Sequence, residues 1–212
     1  MLPHSPSLAN YRDGWTGLGS PFSLYLLNSL LICGLTIVGN VLSCSLAAYA
    51  FARMSFVGRR VLLGVMLGTI MLPQHVTLVA QYSIFRDLDW VDTYLPLVVP
   101  KFLGTEAFFI FLMVQFQIYL RIVLPLLRPA LVTTAIFSFI WSYNDFFTAL
   151  IYVSDLAKLT VPLALRAFLD ASGQSEWRQM FAMSIVTMVP VLAAFVFFQR
   201  RIVEGLATSG LK

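Results

Sequence analysis

The polar residues best placed for chemistry in this chain stand inside apolar runs. Asn144 and Asp145 interrupt the stretch PALVTTAIFSFIWSYNDFFTALIYV, positions 129–153. Gln74, Thr77 and Gln81 follow Pro73 at spacings of three and four residues, which puts them on one helical face. A polar stripe on a helix in lipid points to a protein interior or a wet path. Pro73 removes a backbone donor and kinks the helix, which is tolerated where the backbone lines a cavity. The stripe therefore either lines such a path or marks, at Gln81, the outer headgroup zone. Asp145 lies 16 residues beyond Pro129, about 24 Å along a helix. In an apolar core of about 30 Å that is close to the outer interface. Trp141, Tyr143, Phe146 and Phe147 surround it, as in an interfacial aromatic belt. Two readings stay open for Asn144 and Asp145, an interface anchor and a translocation-path residue. Gln74, Thr77, Asn144 and Asp145 are the candidate path residues.

Catalytic chemistry finds no support. His75 stands alone, with no second His, Cys or paired carboxylate at metal-ligand spacing. The patterns H-E-x-x-H, G-x-S-x-G and G-x-x-x-x-G-K-[ST] do not occur. No catalytic residue, metal ligand or cofactor is assigned, and the chain is not expected to be an enzyme. Any nucleotide used must be bound by another subunit. Cys33 and Cys44 share one apolar run and suit helix packing better than a disulfide or a metal pair.

The elements that hold these residues follow from composition. The chain is 59% hydrophobic and 11% charged, too apolar to cover a soluble domain and right for bilayer spans. Its arginines are scattered between apolar runs, which excludes a nucleic-acid surface. The first residues lack the basic region and apolar core of a cleavable signal peptide. Helical spans are expected at about 24–51, 61–85 (broken at Pro73), 108–120, 129–153 and 180–198. Alternating ten-residue segments, the sign of a membrane barrel, do not occur. The predicted fold class is all-α, a polytopic bundle of about five transmembrane helices. Ser43, Ala47, Ala48 and Ala52 in the first span, and Gly64 and Gly68 in the second, allow close helix contact within the chain or with another subunit.

Charge sets the orientation. The loop from Arg53 to Arg60, the pair Arg121 and Arg128, and the tail with Arg200, Arg201 and Lys212 hold eight basic residues against one acid, Glu204. The other side holds six basic residues, Lys101 and Lys158 among them, and eight acids, including Asp92, Glu106 and Asp155. The first set is therefore cytoplasmic. An external N-terminal segment at 1–23, a transmembrane domain at 24–201 and a cytoplasmic tail at 202–212 follow.

Six segments, in order, carry a resemblance. They are NSLLICGLTIVGNVLSCSLAAYAFARMSFVGRR at 28–60, MLPQHVTLVAQYSIFRDL at 71–88, DTYLPLVVP at 92–100, RIVLPLLRPALVTTAIFSFIWSYNDFFTALIYV at 121–153, LTVPLALRAF at 159–168 and QRRIVEGLATSGLK at 199–212. Together they resemble the permease subunit of binding-protein-dependent ABC sugar importers of the maltose type. The resemblance implies the type I importer fold in a bacterial inner membrane. It also implies four sorts of company: a second permease subunit, ATP-binding cassette subunits that hold ATP, an external solute-binding protein and membrane lipid. In that family a loop with a Glu-Ala-Ala stretch and an Asp-Gly-Ala stretch precedes the RIVLP-like segment and docks in the ATPase. Here Arg121, Ile122, Val123, Leu124 and Pro125 match its end as a coupling remnant, while the leading part is missing. About 20 residues are expected to be absent at the join of Gln117 and Ile118 by comparison with the family. The family's first helix also lacks a counterpart. The resemblance thus leads to a sugar permease with impaired ATPase coupling. The alternative is a non-transporting assembly subunit or a degenerate remnant of such a permease. A secondary transporter is disfavoured because no internal repeat or central charged network is visible.

Overall fold

The computed structural model describes residues 8–71, 73–119, 127–170 and 176–209. Among them every regular element is helical. In chain order these are α1 (Ala9–Thr16), α2 (Phe22–Arg53), α3 (Arg59–Ile70), α4 (Gln74–Asp87), α5 (Leu95–Phe102) and α6 (Ala107–Tyr119). There follow α7 (Leu127–Tyr143), α8 (Phe147–Tyr152), a single 3-10 turn (Leu156–Lys158), α9 (Val161–Asp170) and α10 (Trp177–Ser209).

The central element is α2. Its 32 residues contain neither proline nor an internal charge, so nothing interrupts a rod of about 48 Å. It begins after Pro21 and ends at Arg53, where Met54 turns extended. Helices α5, α6 and α7 pack along it, and α10 packs on α1, α7 and α9. Two apolar clusters divide the bundle. The outer one joins Phe22, Tyr25 and Ile32 of α2 to Leu97 and Val98 of α5, Leu163 and Phe168 of α9, and Met183 of α10. The inner one joins Cys44 and Ala48 of α2 to Phe109, Ile110, Met113 and Val114 of α6. Small residues let these backbones approach closely, the device expected where lipid removes the hydrophobic drive between helices. The opposite face of α10 is apolar and open, with Phe195 59% and Phe197 76% exposed, as a lipid-facing surface requires.

Among the described residues three stretches are long and apolar enough to cross a membrane: Phe22–Arg53, Leu95–Gln115 and Trp177–Phe198. Ala130–Tyr143 is a shorter apolar helix. The expected second span is divided as its proline requires. Residue 73 takes an extended ψ of 124° and α4 starts after it. The fourth span differs from expectation. It is not one helix from 129 to 153, because α7 ends at Tyr143 and α8 begins at Phe147. At the C-terminus the backbone of α10 stays helical to Ser209, so the last span and most of the expected tail form one helix.

Candidate functional site

The break between α7 and α8 explains Asn144 and Asp145. The Asn144 Nδ2 donates at 2.7 Å to the carbonyl of Ile140, in the last turn of α7, which also accepts the Asn144 backbone N–H at 3.2 Å. Asp145 Oδ1 accepts from the backbone N–H of Thr148 at 3.1 Å in the first turn of α8. One polar dipeptide thus caps two helix ends. Of the aromatic residues around them, Tyr143 is buried and packs on Phe139, and Trp141 stacks on Phe109 with centroids 5.0 Å apart.

The stripe on α4 lies elsewhere. Gln81 Nε2 donates to Thr77 Oγ1 at 3.2 Å on an exposed face. Gln74 opens the same helix, and its side chain lies outside the described residues, as do those of His75 and of Arg121 to Pro125. The described part of the stripe does not meet Asn144 or Asp145, which sit across the α7–α8 break. Helix α4 instead reaches the bundle through its aromatic residues. Tyr82 stacks on Tyr152, and Phe85 meets Tyr152 edge-on with centroids 5.3 Å apart.

Three polar constellations were missed from sequence. The first is a seam between α2 and α7. Asn40 Nδ2 donates to Ser138 Oγ at 3.0 Å, and Ser142 Oγ lies 3.5 Å from Thr36 Oγ1. Thr36, Asn40, Thr134 and Ser138 are all buried. Their spacing of four residues on each helix was the available signal. Further out on α2, Asn28 Nδ2 donates to the carbonyls of Ala157 and Leu159, and Ser29 Oγ accepts the N–H of Val161. These bonds satisfy backbone groups where the 3-10 turn hands over to α9.

The second constellation is a clamp on the outer loops. Asp92 holds a left-handed backbone, φ 60°, which Asp tolerates better than most residues. Its Oδ1 accepts the N–H groups of Asp155 at 2.9 Å and Ser154 at 3.0 Å, and its own N–H donates to the carbonyl of Tyr152 at 2.8 Å. Lys158 Nζ donates to the Asp92 carbonyl at 2.8 Å and pairs with its carboxylate at 3.3 Å. The two backbone N–H groups, with Lys158 adding to them, hold the Asp92 carboxyl below its ordinary range. The loop after α4 is thereby tied to the loop after α8.

The third is the corner between α5 and α6. Lys101 and Glu106, both counted with the outer charges, pair with each other, Nζ to Oε1, beside Ser43 and Cys44 of α2. Ser43 Oγ donates to the Lys101 carbonyl at 2.8 Å, and the Cys44 thiol lies 3.9 Å from the Glu106 carbonyl. Loop charge counts carry no depth, so a folded-in pair was indistinguishable from a surface pair.

No family model matches the chain. Among curated proteins, the chain is 30% identical to the trehalose transport system permease protein SugB of Mycobacterium tuberculosis, with 100% of this chain and 84% of that protein aligned. It is 30% identical to the probable ABC transporter permease protein YurM of Bacillus subtilis, covering 100% of this chain and 76% of that protein. It is 29% identical to the trehalose/maltose transport system permease protein MalG of Thermococcus litoralis, covering 100% and 84%. The MalG alignment extends over 232 positions against 212 residues here, so the relative carries about 20 residues in that span without a counterpart. The fold is similar to a chain of a bacterial ABC transporter involved in alginate import, with a TM-score of 0.78 over 94% of this chain and 81% of that one at 18% identity. These relatives are transporter permeases rather than enzymes. A helical bundle with apolar spans, aligned end to end with such proteins, is a multi-pass protein of the inner membrane, and the chain belongs to the family of ABC sugar transporter permeases.

Proposed function

We propose that the chain forms part of the pathway by which a sugar or a related small polar solute enters the cell. A second permease subunit would complete the pathway, ATP-binding cassette subunits would bind ATP below it, and an external solute-binding protein would deliver the solute above. The observation that carries this reading is the full-length alignment with permeases for trehalose and maltose, on a fold that presents an apolar surface to lipid. The α3–α4 arm is the surface we assign to the second permease, because no residue of α3 is buried within this chain. Gln74, Thr77, Asn144 and Asp145 stay candidates for the path. Thr77 and Gln81 in particular keep polar groups on an exposed face of α4.

Coupling to ATP hydrolysis is the weak point. Helix α6 runs through Gln117 and Ile118 to Tyr119, and α7 starts at Leu127, so seven residues join them. Seven residues reach about 25 Å at full extension. That is too little to leave the membrane, form a docking helix in an ATPase cleft and return. Arg121 to Pro125 fall within this join and are proposed as the residual ATPase contact. We expect weak or absent coupling, which also favours the second reading, an assembly subunit that does not transport. The test is ATP-dependent uptake of radiolabelled trehalose or maltose in vesicles holding the chain and its partner subunits. A second sample would carry a 20-residue family coupling loop inserted between Gln117 and Ile118. Uptake only with the insertion supports the proposal. Full ATP-dependent uptake by the natural chain would overturn the coupling defect, and no uptake in either sample would favour the assembly role.

A further inference from the structure

The α5–α6 corner pairs Glu106, its side chain 10% exposed, with Lys101, 29% exposed, within an apolar bundle. Ser43 and Cys44 lie ten and nine residues before Arg53 on α2, about 15 Å along the helix from its cytoplasmic end. With Arg53 taken as the edge of a core of about 30 Å, that is near the midplane. Charges at that depth are expensive and are retained for a reason. The turn itself does not need them. Gly104 takes the left-handed φ of 67°, and Thr105 Oγ1 bonds the Pro100 carbonyl at 3.0 Å.

The position of the corner supplies the reason. Helix α5 belongs to the outer cluster through Leu97 and Val98, whereas α6 belongs to the inner cluster through Phe109, Ile110, Met113 and Val114. The two clusters share no residue. Lys101 stands on the α5 side of the junction and Glu106 on the α6 side. Their side chains hold each other, and their carbonyls are held by Ser43 and Cys44, adjacent residues of α2. Four residues thus close a ring across the junction. Gly39 admits the corner to α2, because a Cβ there would lie 2.8 Å from the Phe102 ring and 3.1 Å from the Lys101 carbonyl carbon.

We propose that Lys101 and Glu106 are a positioning pair that locks the inner half of the bundle to the outer half and sets the direction in which α6 runs to the cytoplasmic face. Its meaning for transport rests on the permease reading, but the lock can be tested without transport. Cys44 is fully buried beneath the corner, and Cys33, three turns further out, is buried in a separate cluster with Tyr143 and Val161. Alkylation of each cysteine by N-ethylmaleimide in native membranes, read peptide by peptide, reports the two places independently.

Lys101→Met and Glu106→Gln each leave one charge without its partner, and each should speed Cys44 alkylation by about tenfold or more while Cys33 changes less than about twofold. The exchange Lys101→Glu with Glu106→Lys should restore protection of Cys44 to within about threefold of the natural chain. Should either single variant fail to fold, the neutral double Lys101→Met with Glu106→Gln leaves no lone charge, and it should expose Cys44 to an intermediate degree. Unchanged Cys44 rates in the folded variants would overturn the proposal. So would Cys33 and Cys44 rising together, which reports general loosening. Absence of sugar uptake by the chain carrying the inserted coupling loop, with these cysteine patterns intact, would count against the permease reading alone.

Discussion

The outer half of the molecule and its α3–α4 arm solve the same problem in opposite ways. In the outer half, many polar side chains are answered within the chain, although the buried hydroxyls of Tyr25, Tyr152 and Thr160 are not. Asn28 and Ser29 bond backbone groups of the 3-10 turn and α9, and Asp92 gathers N–H groups from two residues of a distant loop. The arm has almost none of this. No residue of α3 is buried, a Cβ added at Gly64 or Gly68 would meet no neighbouring element within 4 Å among the described residues, and α4 leans on α8 through Tyr82 and Phe85. The small residues of α2 and of α3 look alike in sequence, yet Cys44 and Ala48 are closed over by α6 while the glycines of α3 stay open. The difference separates surface that the chain completes by itself from surface left to lipid and other subunits.

Glycine replacement tests that difference with the largest expected effect. Gly39→Leu drives a side chain into Phe102 and the Lys101 backbone and should cost about 3 kcal/mol through overpacking. Gly64→Leu and Gly68→Leu meet open space in this chain and should be neutral or stabilising by up to about 1 kcal/mol through helix propensity. Thermal unfolding of the detergent-solubilised protein, followed by tryptophan fluorescence, reads both. Equal losses at the three glycines would erase the contrast.

Next in size is Asn28→Ala, which strands two carbonyls in the outer half. A loss of about 2 kcal/mol is expected in the same unfolding measurement.

Smaller again is the effect at the partly exposed Asp92 clamp. Asp92→Asn keeps an acceptor for Ser154 and Asp155 but loses the charge facing Lys158, whereas Asp92→Ala loses both and is strained at φ 60°. Protease cutting of the outer loops should therefore rise more for Ala than for Asn. The pH dependence has a definite sign. The folded carboxyl is held below its ordinary value of 3.8, chiefly by the N–H groups of Asp155 and Ser154. Its stabilisation is then full above that ordinary value and fades as pH falls through the lower, folded value. The advantage of the natural chain over Asp92→Asn should persist at neutral pH and vanish only in strong acid. An advantage that already faded near pH 6 would contradict the clamp.

The smallest effect is expected on the arm. Gln81→Leu removes one exposed bond to Thr77 and should shift stability of the isolated chain by less than about 0.5 kcal/mol. A clear loss of uptake from an active assembly with unchanged stability would sharpen the comparison, by assigning this face to the pathway.

Much of this contrast was legible before folding. Pro73 divided the second span, and the quoted segments named the family. Asn144 and Asp145 stood out as polar residues in an apolar run, but their work as caps was not visible, because a cap exists only once two helices end there.

What the sequence determined by itself was local and compositional: helices rather than strands, lipid rather than water, and which loops carry the arginines. These follow from the neighbours of each residue along the chain and from the solvent that its side chain can tolerate. Tertiary structure decided which polar groups meet. Asn40 finds Ser138 across 98 residues, Asp92 finds Ser154 across 62, and Ser43 finds Lys101 across 58. Even Lys101 and Glu106, five residues apart, gain their meaning from a third party. Only when α2 lies alongside does their pair join a ring with Ser43 and Cys44, because that contact belongs to the packed bundle and not to any one segment.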